Sequence, residues 1–318
     1  KFFCSMHLTC INQSTIFLDA FQGREYHMAS HFHKNVRKLK QLKTIPPPME
    51  LILAALEESY VAYHSSSTPL TPFITLAYAQ SLDGCVAAQV GAPLLLSSKK
   101  SMVMTHHLRA WHDAILVGVG TVAADNPSLT VRLCPGEHPI PVILDPSLRT
   151  PPSCQLLTSD QCHPRPIIAY IDHKDNEQRK TELTKAGATL LLCQRDPHHH
   201  NWLDLQDVMV QLHQQHQILK IMVEGGAGII TSLLKTHVAL QNQGTGCKGA
   251  EHKETTVAQD SQGLIDMVNI TMAPIFVGGV RSIQSLLPHS SRTHQYPKMQ
   301  PMEVYHLDQD IVLQGPMQ

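Results

Sequence analysis

Between residues 73 and 236 the chain alternates short apolar runs rich in strand formers with segments of helical period, and this rhythm confines it to an α/β fold. The spacing predicts strands at 73–79, 85–89, 114–118, 141–145, 166–171, 188–193 and 219–223. It predicts helices at about 99–112, 174–186, 203–216 and 227–236. A strand at 264–273 and a last one near 303–313 follow. Ending on a strand predicts an antiparallel pair at the edge of the sheet, which a purely doubly wound sheet would lack.

Two runs stop at groups that suit a ligand. The run at 73–79 ends in Ser81-Leu82-Asp83-Gly84, and that at 114–117 ends in Gly118-Val119-Gly120. In open α/β sheets the ligand crevice lies outside the carboxyl ends of the strands, so both endings face one candidate site.

Composition narrows the function classes. With 318 residues, 42% of them hydrophobic, the chain can bury a large core. Its 25 basic and 26 acidic residues give no overall electrostatic case for nucleic acid or an anionic membrane surface. No apolar run approaches the roughly 20 residues that span a bilayer. The eight cysteines form no C-x-x-C pair, so a reducing, cytoplasmic compartment is expected rather than a disulfide framework. The 21 histidines stand mostly alone or in the run His198-His199-His200, without the Cys/His or acid pairing of a zinc site, and no metal is expected.

Residues 31–43 are basic and acid-free and read as a solvated tail in preference to part of an organellar presequence, since no Ser/Arg-rich amphipathic pattern is sustained. Residues 49–64 carry Ile52, Ala55, Leu56, Tyr60 and Tyr63 at helical spacing, and a Ser/Thr/Pro linker follows at 65–69. Residues 1–71 are therefore expected to be accessory and 72–318 to form the domain. Residues 237–263 are polar, glycine-containing and without period, which predicts a mobile surface insertion.

The segment 221–228, IMVEGGAG, runs from a strand through glycines into a helix. Bare N–H groups at a helix amino terminus suit a phosphate; a tight strand-to-helix turn is the competing reading. Residues 118–123, GVGTVA, match G-x-G-x-x-A, but Pro127 would stop the next helix after about two turns, too short for a Rossmann crossover. Asp145 ends a later strand, where a ribose-binding acid would be sought. Thr121 and Asp125 lie four apart and share a helix face, either to address a ligand or as a capping pair. Arg109 and Arg132 could each clamp a phosphate or form a surface ion pair. Glu224, at the mouth of the glycine turn, could accept from substrate amino groups or be a solvated acid at a helix start.

LAYAQSLDG (76–84), LRAWHDAILVGVGTVAADNPSLTVRL (108–133), PVILD (141–145), VEGGAGII (223–230) and ITMAPIFVGG (270–279) together resemble the riboflavin-biosynthesis pyrimidine reductases. These comprise the fungal and archaeal 2,5-diamino-6-ribosylamino-4(3H)-pyrimidinone 5′-phosphate reductases and the reductase half of the bacterial deaminase-reductase. The resemblance implies an α/β, dihydrofolate-reductase-like mixed sheet flanked by helices and a homodimer. It implies NADPH as cofactor, held by Thr121, Asp125, Gly225, Gly226, Ala227, Gly228 and Ile229. A phosphorylated pyrimidine substrate would meet Arg109, Leu129, Arg132 and Glu224. The reaction implied reduces the ribosyl C1′, presented as an open-chain imine, to a ribityl group. Many bacterial members carry a lysine near the position of Ala77, so no catalytic proton donor is assigned. The deaminase motifs H-x-E and P-C-x-x-C are not both present, and a stand-alone reductase is expected. Another small-molecule reductase on this fold, or a non-enzymatic member, are the alternatives.

Overall fold

The computed structural model describes residues 47–66, 69–86, 96–158, 164–173, 176–244, 263–278, 282–283 and 296–318. In chain order the elements are α1 (Pro47–Ser66), β1 (Phe73–Ser81), α2 (Lys99–Trp111), β2 (Ala114–Gly118), α3 (Val119–Asp125), β3 (Ile140–Leu144), α4 (Gln155–Thr158) and β4 (Ile167–Tyr170). There follow α5 (Glu177–Lys185), β5 (Thr189–Leu192), α6 (Leu205–His216), β6 (Lys220–Glu224), α7 (Ala227–Gly244), β7 (Met267–Ala273), β8 (Glu303–Leu307) and β9 (Asp310–Pro316). The predicted strand at 85–89 is not found at Cys85 and Val86, and its remainder lies outside the described residues.

The strands form one nine-stranded sheet in the order β5-β4-β3-β2-β6-β1-β7-β9-β8. Pairing is parallel from β5 to β7, while β9 is antiparallel to both β7 and β8. The mixed α/β sheet with an antiparallel end is thus present. The expected last strand at 303–313 is in fact a hairpin, turning at Asp308 with φ +58. The turn is only Asp308 and Gln309, with no glycine or proline to mark it, and Asp308 adopts the left-handed conformation that acids tolerate better than most residues.

Helices cover both faces, which is why the central strands read as unbroken apolar runs: β2 is buried at every position. On one face Leu76, Leu116 and Val223 pack with Val208, Leu212, Ile230 and Leu233 of α6 and α7. On the other, Val117, Ile143 and Ile168 meet Val122, Leu156 and Leu183 of α3, α4 and α5.

Two predicted boundaries are corrected. α1 belongs to the domain, since Pro46–Gln318 form one compact unit. Ile52 and Leu56 are buried, and Tyr60 and Tyr63 meet the Phe73 ring edge-on at 5.8 and 5.7 Å. The buried Lys220 Nζ lies 4.4 Å from the Trp111 ring centroid and 5.3 Å from that of Tyr60, tying β6 to the helix layer. The same stripe that marks α1 as amphipathic is what docks it. The second correction concerns the insertion: 237–244 continue α7, and 245–262 lie outside the described residues. Leu234, His237 and Val238 extend the buried stripe of α7, a period hidden by the polar residues between them.

His237 is buried and its Nδ1 accepts the Ile265 N–H at 3.0 Å, joining α7 to the approach of β7. Burial lowers its pKa from 6.5 to about 4, so folding favours the neutral ring. The unfolded chain binds the proton more readily; this stability is complete above pH 6.5 and is lost as pH falls towards about 4. His237→Gln, which cannot titrate, is expected to narrow the difference in unfolding free energy between pH 7 and pH 5 measured in urea. An unchanged difference would contradict this role.

Candidate active site

A cleft of about 1330 Å³ opens over the carboxyl ends of β2, β6, β1 and β7. Its lining brings together Thr121, Asp125, Gly225, Gly226, Ala227, Gly228, Ile229, Arg109 and Glu224, residues drawn from four separate elements and the β6–α7 turn.

The glycines divide into two kinds. A Cβ on Gly225 would lie 2.7 Å from the Cβ of Ile229, and one on Gly118 would lie 3.0 Å from its Cδ1, so both make room for the Ile229 side chain. Gly120, Gly226 and Gly228 have open space where a Cβ would stand, and all three line the cleft. The turn is therefore tight and also leaves bare backbone at the start of the 18-residue α7. The first N–H groups of a helix have no partner within it, and the dipole there favours an anion.

α3 ends at Asn126 in the left-handed conformation, whose N–H bonds Val122 O; its amino end has no side-chain cap. Thr121 and Asp125 do not serve as caps and present their side chains at the cleft. Asp145, in contrast, is closed into its own loop. It is buried and accepts the backbone N–H and the hydroxyl of Thr150, both at 2.7 Å, so it does not address a ribose.

Arg109 and Glu224 pair in two parallel bonds, Nε to Oε1 at 2.6 Å and Nη2 to Oε2 at 2.7 Å, with side chains 12% and 21% exposed. Nη1 donates to Thr130 O at 3.1 Å. Burial pulls the Arg109 pKa down, but the adjacent Glu224 carboxylate outweighs it and raises the value overall. Arg109 is thus a neutralised member of the wall rather than a free phosphate clamp, and Glu224 is no solvated acid. Each carboxylate oxygen keeps a lone pair beyond the bond to Arg109.

Leu129 and Arg132 are not in the lining. Leu129, at φ +49, is buried in the core beneath α3. Arg132 is exposed; its guanidinium donates to the Ser128 and Thr130 hydroxyls, and its backbone N–H donates to His106 Nδ1 at 2.9 Å. His106 is buried, and burial together with the Arg109 and Arg132 charges lowers its pKa to about 4, keeping the ring neutral.

Other lining residues went unread in the sequence. Arg149, His198, His199 and Trp202 enter from the loops after β3 and β5, with the His199 and Trp202 rings 5.0 Å apart. Trp202 is 41% exposed, and a tryptophan within a polar loop is the signal that could have found it. Asn269 and Thr271 enter from β7, as polar breaks in an apolar strand. Among the described residues no group of three His, Cys, Asp or Glu could hold a metal ion, and no helix is long and apolar enough to cross a membrane.

A mostly parallel sheet with bare glycine backbone at a helix start over its carboxyl edge defines an α/β protein suited to a phosphorylated ligand. The chain belongs to the RibD C-terminal domain family, whose model matches residues 72–239. It is 30% identical over 213 residues to the 2,5-diamino-6-ribosylamino-4(3H)-pyrimidinone 5′-phosphate reductase of Methanothermobacter thermautotrophicus, covering 66% of this chain and 81% of that one. It is 30% identical over 267 residues to the riboflavin biosynthesis protein RibD of Aquifex aeolicus, covering 81% of this chain. The chain spans only 60% of the length of that protein and 43% of the RibD of Actinobacillus pleuropneumoniae. Among solved structures, the Saccharomyces riboflavin biosynthesis reductase Rib7 superposes with a TM-score of 0.57 at 25% identity, covering 83% of this chain and 97% of that one. The fold is shared with RibD of Acinetobacter baumannii, at a TM-score of 0.60 and 23% identity over 83% of this chain and 63% of that one.

Because the Arg109–Glu224 pair is mostly buried, its halves should be strongly coupled. A double-mutant cycle of Arg109→Ala and Glu224→Ala is expected to give a coupling of about 2 kcal/mol by chemical denaturation. Additive losses would contradict the pairing.

Proposed function

We propose that the chain reduces the ribosyl group of 2,5-diamino-6-ribosylamino-4(3H)-pyrimidinone 5′-phosphate to ribityl, with NADPH as reductant. The observation that carries this is the meeting, in one cleft, of bare backbone at the α7 start, the Thr121 and Asp125 pair, and the Arg109–Glu224 pair. Several relatives bear the name of that reductase, among them the archaeal one above and one from Saccharomyces cerevisiae, the latter 33% identical over 174 residues.

The residues fit the cofactor. Space stands open over Gly120, Gly226 and Gly228, and the amides at the start of α7 would receive a pyrophosphate. Thr121 and Asp125 would take neighbouring hydroxyl and amide groups of the nucleotide, and Trp202 offers a ring face to its base. When bound, NADPH supplies the hydride. Everything else falls to the chain. Glu224, held by Arg109, keeps acceptor lone pairs for the amino groups of the pyrimidine. Arg132 has no carboxylate partner among the described residues and would meet the substrate phosphate from the rim, aided by the Ser128 and Thr130 hydroxyls. The carboxylate of Glu224 neutralises Arg109, so the phosphate is assigned to Arg132 rather than to Arg109. A homodimer working in a reducing, cytoplasmic compartment is part of the same proposal; the described cysteines Cys85, Cys134, Cys154 and Cys193 are free.

Incubation with the ribosylaminopyrimidine phosphate and NADPH is expected to consume nicotinamide absorbance; no turnover by folded protein would overturn the proposal. Arg132→Ala is expected to raise the substrate KM about tenfold or more while leaving the NADPH KM within about twofold. An unchanged substrate KM would remove Arg132 from the site.

A further inference from the structure

Beneath the cleft, Glu224, Ala77 and Asn269 stand side by side across β6, β1 and β7, each in register with the next. Residues directly opposite in a sheet point to one face, so all three address the same side as Arg109. Ala77 contributes only a methyl group, which leaves room over the strand between Glu224 and Asn269. Both Ala77 and Asn269 line the cleft.

Asn269 is 1% exposed, and its Nδ2 has no hydrogen-bond partner. A buried amide donor left without an acceptor is unfavourable, and native proteins retain few of them. Its opposite neighbour on β9 does not relieve it. Gln314 donates Nε2 to Ile52 O at 3.0 Å, while Gln314 Oε1 is itself unpartnered, so the two side chains do not bond. Isoleucine or valine would satisfy a buried strand between Val268 and Ile270 without any orphaned group. Thr271, one step further along the same face, is also buried and also lines the cleft.

We propose that Asn269 is a substrate-contacting residue whose carboxamide donates a hydrogen bond to a neutral oxygen of the substrate, a pyrimidinone carbonyl or a ribosyl hydroxyl, seated over Ala77 beside Glu224. The terminal torsion of asparagine is soft, so a small rotation turns Nδ2 from the cleft floor towards the ligand. The donor lacks a partner in the free protein because the acceptor arrives with the substrate. This inference rests on the reductase reading above and adds to it a residue facing the pyrimidine side of the cleft.

The test compares the full-length chain with Asn269→Leu, a replacement of similar size without polar atoms, by steady-state kinetics and thermal unfolding. Loss of an unpaired donor should leave the Tm unchanged or higher. The substrate KM should rise about tenfold, with the NADPH KM held within about twofold. Asn269→Ala makes the same kinetic comparison should leucine not be accommodated. An unchanged substrate KM, a lowered Tm with unchanged kinetics, or an effect confined to the NADPH KM would overturn the inference while wild-type turnover left the reductase reading intact. Absence of turnover in the wild type would overturn both.

Discussion

The two parallel bonds between Arg109 and Glu224 fix the wall on which the rest of the cleft is hung. They join α2, on one face of the sheet, to the carboxyl end of β6 at its centre, and through Thr130 O they also hold the segment after α3. Neither charge could remain in so sheltered a position alone, because an unpaired ion there loses its hydration without return. Together they form a nearly neutral, rigid surface with acceptor capacity to spare. The pair accordingly makes Glu224 a fixed acceptor at the carboxyl end of β6.

A second constraint sets the opposite side. Ile229 is wedged against Gly118 and Gly225: a Cβ on Gly225 would clash with it and one on Gly118 would crowd it, so the end of β2 and the start of α7 approach closely. That approach places the first turn of α7 and the face of α3 on one cleft, where the bare backbone of Gly226 and Gly228 meets the side chains of Thr121 and Asp125. Within the β6–α7 turn, Gly225 thus serves packing, while Gly226 and Gly228 face open space.

Much of this was legible in the residues, and the exceptions have physical causes. The parallel strands announced themselves as short apolar runs because both of their faces are covered, and Pro127 correctly limited α3 to a short helix. Thr121, Asp125 and the glycine turn stand where their spacing implied. Arg109 could not be read correctly from sequence, because its partner Glu224 is 115 residues away and an ion pair between distant elements leaves no local trace. Leu129 and Arg132 lie on an irregular stretch with no period to say which way they point. The antiparallel hairpin was merged into one strand because its turn is only Asp308 and Gln309, with no glycine or proline to mark it, and the end of α7 was lost because its exposed face is polar. Asn269 and Thr271 were visible as polar residues inside an apolar strand, and only the sheet register reveals that they neighbour Ala77 and Ala79 under the cleft.

The central claim is that this cleft brings a nicotinamide and a ribosylaminopyrimidine together for direct hydride transfer. It is tested most directly by mass spectrometry of the product formed with NADPH dideuterated at the nicotinamide C4. Direct transfer places a single deuterium in the ribityl group, whichever face is used. A product without deuterium, or NADPH oxidised with no labelled pyrimidine formed, would contradict the account.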